Sequence, residues 1–199
     1  LDRLQPPFHL LAPMLAAALE REGRLVVVDF GGALGTLYRQ CRPLLGSVRR
    51  LRWHVVEQAA FARIGHQNYE NDELAFFDSL QAACAAEAPD VVLMSSVLQF
   101  LPDVAPVLSA VTSSGARYLL VDRTPFRDAP QDAVFVQEVP PSIYAASYPM
   151  RAFSLQLWFE WLGANWTLLH EQPSPEGRVH GSDGSPFDYR YQLFRKASC

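Results

Sequence analysis

Asp29, Glu57, Asp78, the pair Ser95-Ser96 and Asp122 each follow a short apolar run, and the first opens a glycine-rich string, Asp29-Phe30-Gly31-Gly32-Ala33-Leu34-Gly35. Glycines placed after a strand let the backbone turn tightly and approach a ligand where a Cβ would collide. The segment from Thr36 reads as a helix whose first amides are free to donate. Such a loop suits a bound cofactor, whereas the glycine string alone is equally compatible with a plain strand-to-helix turn.

Such residues must be set along one edge, and the runs before them are suited to doing so. Leu25 to Val28, Trp53 to Val56, Leu74 to Phe77, Val91 to Met94 and Tyr118 to Val121 are short, continuously apolar and rich in β-branched or aromatic residues. That is the profile of strands buried on both faces of a parallel sheet. Helix-compatible stretches lie between them: Leu37 to Leu45, Ala59 to Gly65, Ser79 to Glu87, and Asp103 to Val111 with Pro102 as a first-turn proline. Strand–helix alternation implies βαβ units, hence a doubly wound α/β domain with helices on both faces. In such sheets ligands bind beyond the carboxyl ends of the strands, which is where every polar residue named above falls.

The two ends of the chain read differently. Leu10, Leu11, Met14, Leu15, Ala18 and Leu19 recur at helical spacing, giving an N-terminal helix within residues 1–23. Phe126 to Pro141 is rich in Pro, Asp and Gln, and residues 126–150 read as a lid-like excursion before a helix from about Pro149 to Leu162. Trp166 to Glu171 and Tyr189 to Arg195 then form an antiparallel edge hairpin around the polar loop Pro173 to Pro186. A single domain over residues 1–199 is expected.

Composition narrows the function classes. The net charge is −4 and no basic block exceeds Arg49, Arg50 and Arg52, so a nucleic-acid partner is not expected. Three cysteines without CxxC spacing and five scattered histidines indicate neither a disulfide framework nor a metal site. The apolar stretch Leu10 to Leu19 is about ten residues long and interrupted by Pro13, too short for a membrane span, and a cytoplasmic protein is expected.

Spacing also separates cofactor classes. A dinucleotide fingerprint starting at Gly31 needs glycines where Ala33 and Thr36 stand, and one starting at Gly32 meets Leu34 and Leu37. Asp29-x-Gly31-x-Ala33-x-Gly35 instead resembles the first motif of class I S-adenosylmethionine-dependent methyltransferases, with alanine in place of the middle glycine. The resemblance implies S-adenosylmethionine as cofactor, with its methionine part against Asp29, Gly31, Gly32, Ala33 and Gly35, and Ser95 nearby. It further implies that Glu57 takes the ribose hydroxyls, Gln58 lies beside the adenine and Asp78 accepts from the adenine amino group. Asp78 could alternatively cap the helix that follows it.

A closer likeness runs through Val28 to Gly32, Trp53 to Gln58, Ser96 to Leu101, Leu120 to Phe126 and Ser147 to Pro149. These segments resemble an uncharacterised bacterial methyltransferase family, some members of which are associated with cell-surface polysaccharide synthesis. It implies a Rossmann-like, seven-stranded sheet with an antiparallel last strand, and a small-molecule acceptor, sugar-type or a polysaccharide precursor. Acceptor-side candidates are Asp122, Arg123, Tyr144, Tyr148 and Arg151. Against these stand a structural Asp122–Arg123 ion pair, a lid packed by its own aromatics, a non-catalytic scaffold domain, and an NAD-dependent enzyme acting on a nucleotide sugar.

Overall fold

The structure is a computed structural model that describes residues 7–139, 141–142 and 145–197. Five strands, β1 (Arg24–Phe30), β2 (Arg50–Val56), β3 (Leu74–Phe77), β4 (Val91–Ser95) and β5 (Tyr118–Arg127), form a parallel sheet in the order β3-β2-β1-β4-β5. β1 is buried along its centre because it has a strand on each side and helices on each face. α1 (Phe8–Leu19), α2 (Thr36–Cys41) and α3 (Ala59–Asn68) cover one face; α4 (Leu80–Ala86), α5 (Ala105–Ser113) and α6 (Leu155–Leu162) cover the other. Alternate residues feed two cores: Leu25, Val27, Trp53 and Leu93 with Leu10 and Met14, and Val28, Val92, Met94 and Val121 with Leu108 and Trp158.

Four further strands, β6 (Ala133–Val139), β7 (Ala146–Ser154), β8 (Trp166–His180) and β9 (Pro186–Lys196), complete the sheet. β9 runs antiparallel to β5 and β8 antiparallel to β9, so the seven strands β3-β2-β1-β4-β5-β9-β8 make up the expected mixed sheet with its antiparallel C-terminal hairpin. The described residues form nine strands in all, because residues expected as an irregular excursion fold into the β6/β7 hairpin. It joins the end of β5 through Phe126↔Phe153 and Arg127↔Ser154. No helix among the described residues is long and apolar enough to cross a membrane.

Three expectations need correction. The helix expected from Pro149 starts at Leu155, because residues 146–152 pair with β6 and 153–154 with β5, and Ser154 caps α6 by accepting the Leu157 N–H at 3.3 Å. Pro149 is tolerated because β7 is joined to β5 only at Phe153 and Ser154, leaving its edge open beside the proline. The loop expected over Pro173 to Pro186 shrinks to the turn around Gly181–Ser185. β8 continues through an irregularity between Pro173 and Arg178, where Arg178 grips Asp188 with bonds of 2.8 and 3.0 Å. In α5 the first-turn proline is Pro106, with Pro102 outside the helix.

α3 is seated on β3 through a glycine. A Cβ on Gly65 would lie 2.2 Å from the ring of the buried Phe76. Alanine raises helix propensity by about 1 kcal/mol, whereas overpacking a close-fitted ring costs ~1–3 kcal/mol. Gly65→Ala is therefore expected to lower unfolding free energy by up to roughly 2 kcal/mol in urea denaturation; a raised midpoint would contradict this packing.

Candidate functional site

The loop after β1 is built over a buried acid. Asp29 has 1% of its surface exposed, and its carboxylate accepts the Trp53 indole N–H at 3.0 Å. A Cβ on Gly32 would lie 2.6 Å from that carboxylate, so only glycine lets the chain pass over it. Gly31, at φ 78°, would drive a Cβ to 2.4 Å from the Val97 side chain, so the loop also lies flush against the segment after β4. Burial lifts the Asp29 carboxyl to about 7; the Trp53 bond pulls it down and the neighbouring Glu57 charge pushes it up. Nearby, burial and the Asp29 charge push the Cys41 thiol up to about 12, which removes it as a nucleophile near neutrality.

Glu57, at the end of β2, closes the loop from the other side. One carboxylate oxygen accepts the Ala33 N–H and the other the Gln58 N–H, both at 3.0 Å. The clasp holds Ala33 in the left-handed region, at φ 51°. This is strained for a residue with a Cβ, and it is a physical reason for a glycine at the equivalent place in the motif. Ser96, at φ 54°, just after β4, and Arg123, at φ 49°, at the irregularity inside β5 between Val121 and Thr124, are strained in the same way. Non-glycine backbone strain thus recurs at two strand ends and at the β5 irregularity beside them, a pattern associated with functional sites.

A cavity of about 550 Å³ opens beside this edge. Gly31, Glu57, Gln58, Asp78 and Ser96 supply its polar wall, and Val56, Leu80, Val97, Phe100, Leu101 and Val107 its apolar wall. Its size is ordinary for a small-molecule site. Asp78 is not the cap of α4: Ser79 is, accepting the Ala82 N–H at 3.2 Å. Asp78 is left exposed on the cavity rim.

The remaining sequence-selected residues fall into three places. Asp29, Gly32, Ala33 and Gly35 form the loop and its support, and Gly35 begins α2 at φ 82°. Ser95 and Asp122 lie one strand further along: the Ser95 hydroxyl donates to the buried Asp122 carboxylate at 2.8 Å. Arg123, Tyr148 and Arg151 are engaged elsewhere. Arg123 pairs with Glu176 at 3.3 Å, so the expected structural pair with Asp122 does not form. Tyr148 packs edge-on against Phe100 at 5.3 Å, and Arg151 donates to the Pro102 carbonyl at 2.8 Å. The β6/β7 hairpin thereby buttresses the cavity wall. Tyr144 lies outside the described residues.

Sequence reasoning missed His9, whose Nε2 lies 3.1 Å from the Asp122 carboxylate, and Tyr191, whose ring meets the His9 ring edge-on at 4.9 Å. Their sequence separation of more than 100 residues left no local signal. His66, by contrast, is exposed and bonded to Glu70 one helical turn away. No group of three or more potential metal ligands occurs among the described residues.

No family model and no curated protein matches the sequence. The fold is nevertheless shared with solved methyltransferases. The Burkholderia thailandensis 1,6-didemethyltoxoflavin-N1-methyltransferase, solved with S-adenosylhomocysteine, is 17% identical, with TM-score 0.50 over 96% of this chain and 81% of that one. The glycopeptide N-methyltransferase MtfA, solved with S-adenosylmethionine, is 10% identical, with TM-score 0.57 over 94% of each chain. An S-adenosylmethionine-dependent methyltransferase from Clostridium acetobutylicum is 10% identical, with TM-score 0.53 over 94% and 92%. At these identities the likeness is one of fold: the chain has the mixed α/β architecture of these enzymes.

Two predictions follow from the loop. Ala33→Gly relieves a left-handed alanine at about 1–2 kcal/mol but loosens the unfolded chain by ~0.4–1 kcal/mol. The variant should gain up to about 1.5 kcal/mol in urea denaturation, and a clear loss would contradict the strain argument. Because the Asp29 carboxyl is raised in the folded state, its contribution is fully present below the unfolded value of 3.8 and is lost as pH rises toward about 7. Asp29→Asn keeps an acceptor for Trp53 without the charge. It should match wild type near pH 4 and exceed it by roughly a few kcal/mol at pH 8, as read by denaturation at both pH values; equal stability at both would contradict a dry carboxylate.

Proposed function

We propose that the chain is an S-adenosylmethionine-dependent methyltransferase acting on a small-molecule acceptor. The single observation that carries this reading is the juxtaposition of the Glu57 carboxylate with the glycine loop, across a cavity that is half apolar slot and half carboxylate rim. The residues present fit the cofactor. Glu57 retains lone pairs for a ribose diol, Asp78 is an unengaged acceptor for an exocyclic amine, and Val97, Leu101 and Val107 supply apolar surface for a flat base. Asp29 sets negative charge beneath the loop where a cationic sulfonium and ammonium would lie, though it touches the loop only from below.

When bound, the cofactor supplies a methyl group made electrophilic by its sulfonium. The protein's own task is then to hold an acceptor in line and exclude water, which needs no metal cluster and no covalent nucleophile. The hairpin residues Tyr148 and Arg151, held on Phe100 and the Pro102 carbonyl, stiffen one side of the cavity for that purpose. A sugar-type acceptor is supported only by the family resemblance of the sequence.

Calorimetric titration with S-adenosylhomocysteine tests the reading without knowledge of the acceptor. Micromolar binding is expected, weakened roughly tenfold to hundredfold by Glu57→Ala, the usual cost of a lost charged hydrogen-bonding group. NAD should give no heat. Binding of NAD but not of S-adenosylhomocysteine would overturn the proposal, and binding of neither would favour a scaffold role.

A further inference from the structure

We propose that His9 and Asp122 form a proton-accepting pair for a weakly acidic hydroxyl acceptor, phenolic or enolic, bound beside Tyr191 where β5 passes the carboxyl end of β4. The inference rests on the methyl-transfer reading above and names the chemical class of its acceptor.

Asp122 is 2% exposed and receives both the Ser95 hydroxyl at 2.8 Å and His9 Nε2 at 3.1 Å. With Nε2–H committed to the carboxylate, the lone pair of a neutral His9 is on Nδ1, which has no partner among the described residues. The His9 side chain is 27% exposed, so one side of the ring is reachable while the carboxylate behind it is dry. A buried acid thus fixes the ring and stabilises the cation formed when the ring takes a proton, the same division of labour as in other His–carboxylate pairs. The pair lies on the α1 face of the sheet edge and the cavity on the α4/α5 face, with the Ser95-Ser96 turn between them: Ser95 bonds Asp122 and Ser96 lines the cavity wall.

A second observation points to a ligand. The Tyr191 hydroxyl is buried and has no hydrogen-bond partner, although its ring packs on His9. A buried unpaired hydroxyl is unfavourable until a partner arrives. An acceptor oxygen that gives its proton to His9 retains lone pairs both for the incoming methyl and for the Tyr191 O–H. A neutral amine has one lone pair and cannot serve both. Among the described residues no arginine or lysine bonds to this cluster, and Arg123, next to Asp122 in sequence, is turned to Glu176.

The acidity of the hydroxyl is set by the base. An imidazole ordinarily titrates near pH 6.5 and a phenol near 10, whereas water stands at roughly 16. Proton uptake by imidazole is far better matched to a phenol or enol than to a plain alcohol. The acceptor O–H proton passes to His9 Nδ1, and the freed oxygen pair becomes the new C–O bond while the pair of the broken C–S bond stays on sulfur. The imidazolium then loses its proton to water.

The test uses 4-nitrophenol, which is coloured only as its phenolate, titrated against the whole protein below the pH of its own ionisation, with and without S-adenosylhomocysteine. A saturable phenolate absorbance is expected, falling about tenfold or more in His9→Gln and in Asp122→Asn and partly in Tyr191→Phe, with near-ultraviolet circular dichroism unchanged. No phenolate with the wild-type protein, or equal phenolate in His9→Gln, would overturn the proposal and leave His9–Asp122 as a strut between α1 and β5. If S-adenosylhomocysteine fails to bind but the His9-dependent phenolate appears, the cofactor reading fails and the pair stands.

Discussion

Beneath the glycine loop, the Asp29 carboxylate is held out of water by the sheet and supported by one indole N–H from Trp53. Burying a carboxylate with so few partners is unfavourable, as its raised pKa reflects. Much of the site's geometry depends on accommodating it. The chain above must lack a side chain at Gly32, and the loop is clasped from its far side by Glu57 through the Ala33 N–H. A second negative charge close to the first raises the cost again, which explains why Glu57 is surrounded by backbone donors. A cationic ligand over this loop would favour the ionised form of the Asp29 carboxyl.

The sheet extends this logic along its carboxyl edge. Left-handed backbone follows β1 at Ala33 and β4 at Ser96 and recurs at Arg123, at the irregularity inside β5. The cavity on the α4/α5 face and the Asp122 cluster on the α1 face flank this edge, with Ser96 lining the one and Ser95 bonded into the other. The β6/β7 hairpin contributes from outside by bracing Phe100 and Pro102, so the segment after β4 is packed from both sides. Rigid placement of this kind suits a reaction whose demand is alignment rather than activation of a catalytic nucleophile.

The parallel half of the sheet was legible in the sequence because each strand is a short apolar run closed by a polar residue, a pattern fixed by burial on both faces. The glycine loop and Glu57 could be read for the same reason, since both are tied to strand ends. The antiparallel half was less legible. Residues 146–154 have the apolar content of a helix start, and only their pairing with β6 and β5 makes them a strand. The polar stretch after Pro173 becomes part of β8 because β9 lies beside it, not through its own propensity. His9 escaped notice for a related reason: its partner Asp122 is 113 residues away, and packing of α1 alone brings the two together.

Hydrogen exchange of the protein with and without S-adenosylhomocysteine tests most directly whether the carboxyl edge is the binding edge. The account predicts slower exchange at the amides of Gly31 to Gly35 and of Glu57 to Ala59, with the β6/β7 hairpin strands little changed. Protection confined to the hairpin or to the β8/β9 turn would contradict it.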